Sequence, residues 1–183
     1  MGAVTPKFRF GFVLRDGPPN VEQFAEAATQ SFHKDDPVKL SSGSVAQIYT
    51  PSTTATNAAI STGIIGIAAA DASGTTGTLI PVYVITPAQV WEAHCLQGVK
   101  PSTIATYYEG VNCKINYNAC TDYVLSDGDS NTMTTDVGAW YVASTAASAG
   151  GGVVIMKYRR GEEGTKGGRM LVRFTSHACD GQY

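Results

Sequence analysis

The sequence predicts an all-β protein, a β-barrel or sandwich of short antiparallel strands with an extended N-terminal arm. Glycine supplies 20 of the 183 residues, and Ser and Thr are frequent, which lowers helix propensity and favours turns. Short runs of β-branched and aromatic residues recur at similar spacing between turn residues, as strands do. No stretch has the apolar periodicity of a long amphipathic helix. Many short strands avoid bare edges by closing into a barrel or packing as a sandwich.

Length and charge limit the classes of function. With 183 residues the chain has the size of one domain with an appended arm. Charged residues make up 15% and the formal net charge is −2, which disfavours nucleic-acid binding. No run approaches the roughly 20 apolar residues of a membrane-spanning helix, and the first residues lack a secretory pattern. We expect a soluble protein that binds neither nucleic acid nor membrane, with an uncharged polar surface suited to contact with other protein.

Residues 1–30 are predicted to form an extended arm, and residues 31–183 the β-barrel body. Phe8, Phe10 and Phe12 occupy alternate positions, which places three aromatic rings on one side of a strand. That much apolar surface has to pack on the body or on a partner subunit.

A short helix is expected near the end of the arm. The DGPPN run at 16–20 interrupts the chain, and residues 21–28 that follow are rich in Ala. Asn20 is placed to cap a helix there, and Glu22 and Glu26 suit its N-terminal half.

The body is predicted to begin with a β-hairpin within residues 31–45. Val38 and Leu40 alternate with a lysine, as in a half-buried strand. Ser42 and Gly43 then offer a tight two-residue turn before the chain returns.

Residues 49–61 have no periodicity and predict a loop or a meandering edge. The apolar run at 64–70 predicts a buried strand, and the turn residues at 71–74 end it. TLIPVYVIT at 78–86 predicts the clearest strand of the chain, with Pro81 indicating an edge or bulge position.

The second half of the chain predicts five more strands, each of roughly 4–6 residues. They are residues 113–117, 122–125, 140–144, 153–158 and 169–174. The charged, Gly-rich run at 159–168 is expected to be the solvated tip joining the last two strands, and residues 101–108 to form one or two helical turns.

The histidines and cysteines do not predict a zinc site. His94 and Cys95 are adjacent, so on a strand their side chains point to opposite faces, and His177 with Cys179 also lacks the usual ligand spacing. The cysteines are too few for a disulfide framework and are expected to be reduced, buried small side chains. They are Cys95, Cys113, Cys120 and Cys179.

A calcium loop is not predicted either. Asp127, Asp129 and Asn131 place oxygen ligands at alternate positions. The sixth position is Thr132 where the loop needs Gly, and the twelfth is Gly138 where it needs Glu. The run is expected to be an ordinary turn, and no metal or cofactor is predicted.

Nothing in the sequence predicts catalysis. There is no nucleophile elbow, no phosphate-binding loop, and no spacing that nominates a set of nucleophile, histidine and carboxylate. Trp91 and Trp140 are candidates for a sugar-binding surface, although single aromatics on strands are more often anchors of a core.

Three passages resemble the small head proteins of tailed bacteriophages, the capsid decoration or cement proteins encoded near the major capsid protein. Residues 32–43 resemble the family's hairpin, with a Phe before a polar turn and an apolar strand ending at Ser-Gly. Residues 63–68 with the turn at 71–74 and the strand at 78–84 resemble its central unit, and residues 167–174 its closing strand. Together the passages frame about residues 30–175.

This resemblance implies a virion protein with a β-barrel body, assembled in the host cytoplasm onto the outside of the capsid. There it would bind the major capsid protein, often as a homotrimer, cement neighbouring capsomers and stabilise the mature head, without a cofactor. One departure concerns backbone geometry, since the family's first turn usually carries Gly where this chain has Asp35 or Asp36. Residues 175–183 lie outside the resemblance.

The arm is the expected site of contact with the capsid or a neighbouring subunit, because an extended segment is able to join a neighbour's sheet edge. The candidate contact residues are Phe8, Phe10, Phe12 and Phe24. The main alternative function is a head-fibre base or a host-glycan-binding adhesin. An enzyme is not expected; a metal-dependent hydrolase built around Asp127, Asp129 and the histidines is the remaining alternative.

Overall fold

A computed structural model describes residues 11–48, 58–60, 63–94, 112–118, 139–146, 152–158 and 168–175. In that part of the chain the secondary structure is twelve β-strands with no helix, which confirms the all-β prediction. The strands are β1 (Val13–Asp16), β2 (Val21–Ala25), β3 (Pro37–Ser41), β4 (Ser44–Gln47), β5 (Ala58–Ile60), β6 (Gly66–Ala68), β7 (Leu79–Val84), β8 (Val90–His94), β9 (Asn112–Asn118), β10 (Ala139–Ala146), β11 (Val153–Tyr158) and β12 (Arg169–Phe174).

The strands form two antiparallel sheets packed as a sandwich. The seven-stranded sheet has the order β1-β8-β12-β11-β9-β10, and β5 also pairs with β9. The five-stranded sheet has the order β2-β7-β6-β3-β4. Its two ends touch at one isolated parallel bridge, between Glu26 and Val45. Of the two predicted architectures, the structure therefore has the sandwich and not the closed barrel.

The main core lies between the two sheets and is centred on Trp91, which is fully buried. The Trp91 ring meets the rings of Phe174 and Tyr83 edge-on, at centroid distances of 6.0 and 6.2 Å. Phe12 packs on Phe174 at 5.1 Å. Burial of each such side chain stabilises the fold by about 1.5–3 kcal/mol, and the edge-to-face contacts add to this.

A second core lies on the opposite face of the five-stranded sheet. Along β7, Ile80, Val82 and Val84 point into this second core, while Tyr83 between them packs against the main core. The middle of the sheet is thus buried on both faces. Gly66 makes this packing possible, because a Cβ there would lie 2.5 Å from Val82 Cγ1.

The predicted hairpin is confirmed as β3 and β4. Ser41 is the partner of Ser44, so the turn contains only two residues. Both adopt positive φ angles, 52° for Ser42 and 79° for Gly43, as the favoured two-residue hairpin turn requires.

The turn before this hairpin has a backbone geometry that favours Gly, although an Asp occupies it. Asp35 has a φ of 71°, the left-handed conformation that Gly adopts most easily and that Asp tolerates better than most residues. The carboxylate of Asp36 accepts a hydrogen bond from the backbone N–H of His33 at 2.8 Å, which holds the turn closed.

Six strands match sequence predictions, namely β6, β7, β9, β10, β11 and β12. Pro81, however, lies in β7, which is a central strand and not an edge. Ala69 N–H donates to Pro81 O at 2.9 Å, and proline has no N–H to return the bond. The ladder between β6 and β7 therefore stops at Ala68. The strands β1, β5 and β8 were not predicted, and predictions for 101–108, 122–125 and 159–167 lie outside the described residues.

The helix predicted for residues 21–28 is wrong, because this segment begins with the strand β2. All five residues of β2 pair with β7 in an unbroken antiparallel register. Phe24 packs against the second core from this position. Cross-strand pairing and burial outweigh the helix propensity of a short Ala-rich segment, which is weak in isolation.

Residues 11–30 lie in the body of the protein, and not in a separate arm. β1 pairs with β8 and β2 pairs with β7, so this segment supplies an outer strand to each sheet. The connection between β1 and β2 is also anchored to the body, because the buried Gln89 donates a hydrogen bond from its Nε2 to Pro18 O at 3.0 Å. Truncation at residue 30 would remove two paired strands. Residues 1–10 lie outside the described residues.

Glu26 fixes the point where the five-stranded sheet curls. Its side chain is fully buried, and its carboxylate accepts hydrogen bonds from Ser73 N (2.9 Å), Ser73 Oγ (2.6 Å) and Gly74 N (2.8 Å). Its backbone N–H donates to Thr78 O at 2.8 Å, and its carbonyl accepts from Gly77 N at 2.8 Å. The loop that leads into β7 is therefore tied to the end of β2.

We predict that Glu26→Gln lowers the free energy of unfolding by about 2–3 kcal/mol, because an amide N–H at this buried position would face one of the three donors that now bond to the carboxylate. Glu22→Gln is the matched control on an exposed carboxylate of the same segment, with an expected change within about 0.5 kcal/mol. Urea unfolding followed by circular dichroism measures both values. Equal stability of the two variants would contradict the role assigned to Glu26.

Candidate interaction surface

The predicted aromatic contact residues are not presented together on the surface. Phe12 is fully buried in the main core, so its side chain is not available to a partner of the folded protein. Phe24 is half-buried and packs against the second core. Phe8 and Phe10 lie outside the described residues. The hypothesis that alternating Phe rings form the contact is therefore not supported at Phe12.

The two tryptophans are core residues and do not form a sugar-binding surface. Trp91 and Trp140 are both buried among the side chains that join the sheets. This confirms the interpretation of these residues as core anchors. It also removes both tryptophans from the glycan-binding alternative.

The candidate metal ligands are not brought together in the described structure. His94 ends β8 and is half-exposed, while Cys95, His177 and Cys179 lie outside the described residues. The Asp127 to Asn131 run lies outside them as well. Within residues 11–48, 63–94 and the shorter described stretches, no group of three or more His, Cys, Asp or Glu is placed to hold a metal ion.

On the outer face of the seven-stranded sheet, residues from several separate segments of the sequence lie side by side. Trp91, Val172 and Ile155 point into the main core, so the residues that alternate with them point outward. Leu171 has Glu92 as its Cα partner on one side and Lys157 on the other. Val13 continues this row across β8, since it is also a partner of Glu92. Four strands thus contribute neighbouring side chains to one face.

Positive charge is concentrated on this face. Among the described side chains of β1, β8, β11 and β12, its cations are Arg15, Lys157, Arg169 and Arg173, and its acids are Glu92 and Asp16. Glu92 is largely buried beneath the arginines, with its Oε1 2.8 Å from Arg15 Nη2 and 4.0 Å from Arg169 Nη1. Within this set four positive charges against two negative ones give a local excess of +2, whereas the whole chain has a formal net charge of −2.

Apolar side chains lie between these charges. Val13 and Met156 are 39% and 36% exposed, which makes them two of the exposed large hydrophobic residues of the described chain. Met156 lies at an irregularity in the pairing of β11 with β12, between Ile155 and Lys157. Such a bulge re-aims a side chain within a strand.

We call this surface the basic face. It consists of Arg15, Lys157, Arg169 and Arg173 with the apolar residues Val13, Val154, Met156 and Leu171. Sequence reasoning missed it because the register between β1, β8, β12 and β11 brings its residues together, and two of these strands were not predicted. An apolar centre with arginines around it is the composition of a protein–protein contact.

A scan against protein-family models, a search of curated proteins and a search of solved structures each found no match to this chain. The described residues contain no helix of the length and apolar character needed to cross a membrane.

We predict that tryptophan fluorescence of the native protein is blue-shifted and weakly quenched by acrylamide, since both tryptophans of the chain are buried. Unfolding in urea should shift the emission to longer wavelength and make quenching by acrylamide efficient. Added mono- and oligosaccharides should leave the native spectrum unchanged. Efficient quenching of the native protein, or a spectral shift with a sugar, would contradict this placement of Trp91 and Trp140.

Proposed function

We propose that this chain is a structural virion protein that binds the outer surface of a phage capsid and cements neighbouring capsomers. The basic face is the observation that supports the proposal best. It offers exposed apolar area together with an excess of +2, from four cations against two carboxylates, on one sheet surface. The likeness of residues 32–43, 63–84 and 167–174 to capsid decoration proteins supports the same class of function.

The basic face suits an acidic protein surface. Opposite charges accelerate the encounter of two proteins and fix their orientation. The apolar residues at the centre of the face, once a partner covers them, supply much of the affinity. Lys157 and Arg173 are exposed and make no ion pair in the described structure, so a partner's carboxylates would be their first ion-pair partners. The partner in this proposal is the major capsid protein.

Cementing then follows from mass action. A protein that binds the assembled shell and not its separated subunits stabilises the shell by its own binding free energy. Contacts to two neighbouring capsomers make the second contact intramolecular and raise the effective affinity. The homotrimer and the position on the capsid exterior belong to this same proposal.

Co-sedimentation of the purified chain with expanded shells assembled from the major capsid protein of a tailed phage, the proposed partner, tests the proposal. We expect saturable binding that weakens with rising salt, and a higher melting temperature of decorated shells. Failure to bind expanded shells at low salt would overturn the proposed function.

We predict that Lys157→Gln and Arg173→Gln each weaken shell binding by about fivefold and reduce its salt dependence, because each removes one exposed cation of the basic face. Lys39→Gln is the matched control, since it removes one positive charge from the five-stranded sheet. Its affinity should equal that of the unmodified chain. Equal weakening by all three variants would show that only net charge matters and would contradict a role for this face.

A further inference from the structure

β2 has an open hydrogen-bonding edge. It is the outer strand of the five-stranded sheet, and β7 is its neighbour. Val84 N–H donates to Asn20 O and Glu26 N–H donates to Thr78 O, both at 2.8 Å. In an antiparallel ladder the bonded positions alternate, so the even-numbered residues of β2 bond to β7. The backbone groups of Val21 and Gln23 therefore point away from the sheet.

These outward groups have no partner in the described structure. β4 approaches the end of β2 at the Glu26 bridge, where Ala27 N–H donates to Val45 O at 2.9 Å. β4 begins at Ser44, so in this parallel register it does not reach back to Val21 and Gln23. Two N–H and two C=O groups remain available for an added strand.

Two other sheet edges, β1 and β4, are protected in ways that β2 is not. β1 has a register shift between Leu14 and Asp16. Such a bulge is a common protection of a sheet edge. The outer side of β4 is covered, since Gln47 N–H donates to Gln30 Oε1 at 2.7 Å. β2 pairs without a bulge and contains neither lysine nor proline.

An exposed apolar side chain lies on the open edge, since Val21 of β2 is 48% exposed. Leu79 is 63% exposed and shares the face of Val21, because both occupy odd-numbered positions of the same ladder. Leu79 lies on β7 behind Ala25, however, at the end of β2 that β4 approaches. An added strand would therefore cover Val21 in addition to the open backbone groups.

The negative charge of Glu22 limits which strands are able to pair with the open edge of β2. If two copies of β2 paired antiparallel through Val21 and Gln23, each Glu22 would face its own copy. That position is not hydrogen-bonded, so the two carboxylates would lie at the closer of the two cross-strand spacings, where like charges destabilise pairing. Within the described residues Glu22 makes no ion pair, and its one side-chain contact is from Asn20 Nδ2 at 3.3 Å. A strand from a different protein with Lys or Arg opposite Glu22 would instead form an ion pair with its carboxylate.

We infer that β2 accepts an extended segment of the capsid subunit as an added strand, with a basic residue opposite Glu22 and an apolar residue beside Val21. This inference rests on the proposed function and names a second contact, distinct from the basic face. Addition of a strand to a sheet edge supplies backbone hydrogen bonds for affinity, and the side chains beside it supply selectivity.

Amide hydrogen exchange of the full chain, free and bound to capsid shells, tests the inference residue by residue. In the free chain the amides of Glu22 and Phe24 should be protected, while those of Val21 and Gln23 exchange freely. Binding should slow exchange at Val21 and Gln23 by at least about tenfold. If the chain binds shells while both amides keep their free exchange rates, the inference is wrong and the proposed function stands. If the chain does not bind shells, the proposed function fails and the inference fails with it.

Substitutions at the edge give a second, independent readout. Gln23→Pro removes an N–H that points away from β7, and it should weaken shell binding by about tenfold with little change in melting temperature. Gln23→Ala keeps the N–H and should bind like the unmodified chain. Glu22→Lys should also weaken binding, through repulsion of the partner's cation. Equal affinities of Gln23→Pro and Gln23→Ala, both folded, would overturn the inference.

Discussion

The buried carboxylate of Glu26 is the constraint on which the rest of the five-stranded sheet depends. A buried carboxyl group is tolerated only when hydrogen bonds replace those it makes to water, and Ser73 and Gly74 supply three donors. The backbone of the same residue ends β2 and bridges to Val45 of β4. One residue thus joins the two ends of the sheet and positions the loop into β7. The curl that encloses the second core follows from this junction.

The curl also determines which surfaces remain for binding. The middle of the five-stranded sheet is buried on both faces, so it offers no broad exposed face. Among the described residues, exposed large apolar side chains are left on the basic face of the other sheet and at the starts of β2 and β7, where Val21 and Leu79 lie. Because β4 meets β2 only from Glu26 onward, the bridge that joins the two ends of the sheet leaves Val21 and Gln23 open. The bridge and the open edge therefore follow from the same register between β2 and β4.

The sequence predicts the all-β class, the β3–β4 hairpin and most interior strands, because local alternation and turn chemistry specify them. It fails where tertiary pairing decides. β2 is rich in residues compatible with a helix, and only its register with β7 makes it a strand. The basic face was not predictable from a net charge of −2, because four strands must align before its charges gather. Phe12 illustrates the same limit, since alternation predicts a common side for the rings but not that this side lies in the chain's own core.

Because Phe12 is buried, it is not available for contact with a partner, and the proposed contacts lie instead on β1 and β2, the two strands that follow it. β1 contributes Val13 and Arg15 to the basic face, and β2 contributes the open edge. The short connection between them is fixed, because Gln89 holds Pro18 O from within the core. Two strands in different sheets are therefore held in one rigid relation by a buried amide. A partner that engages both surfaces meets a preorganised pair of contacts and loses little conformational entropy on binding.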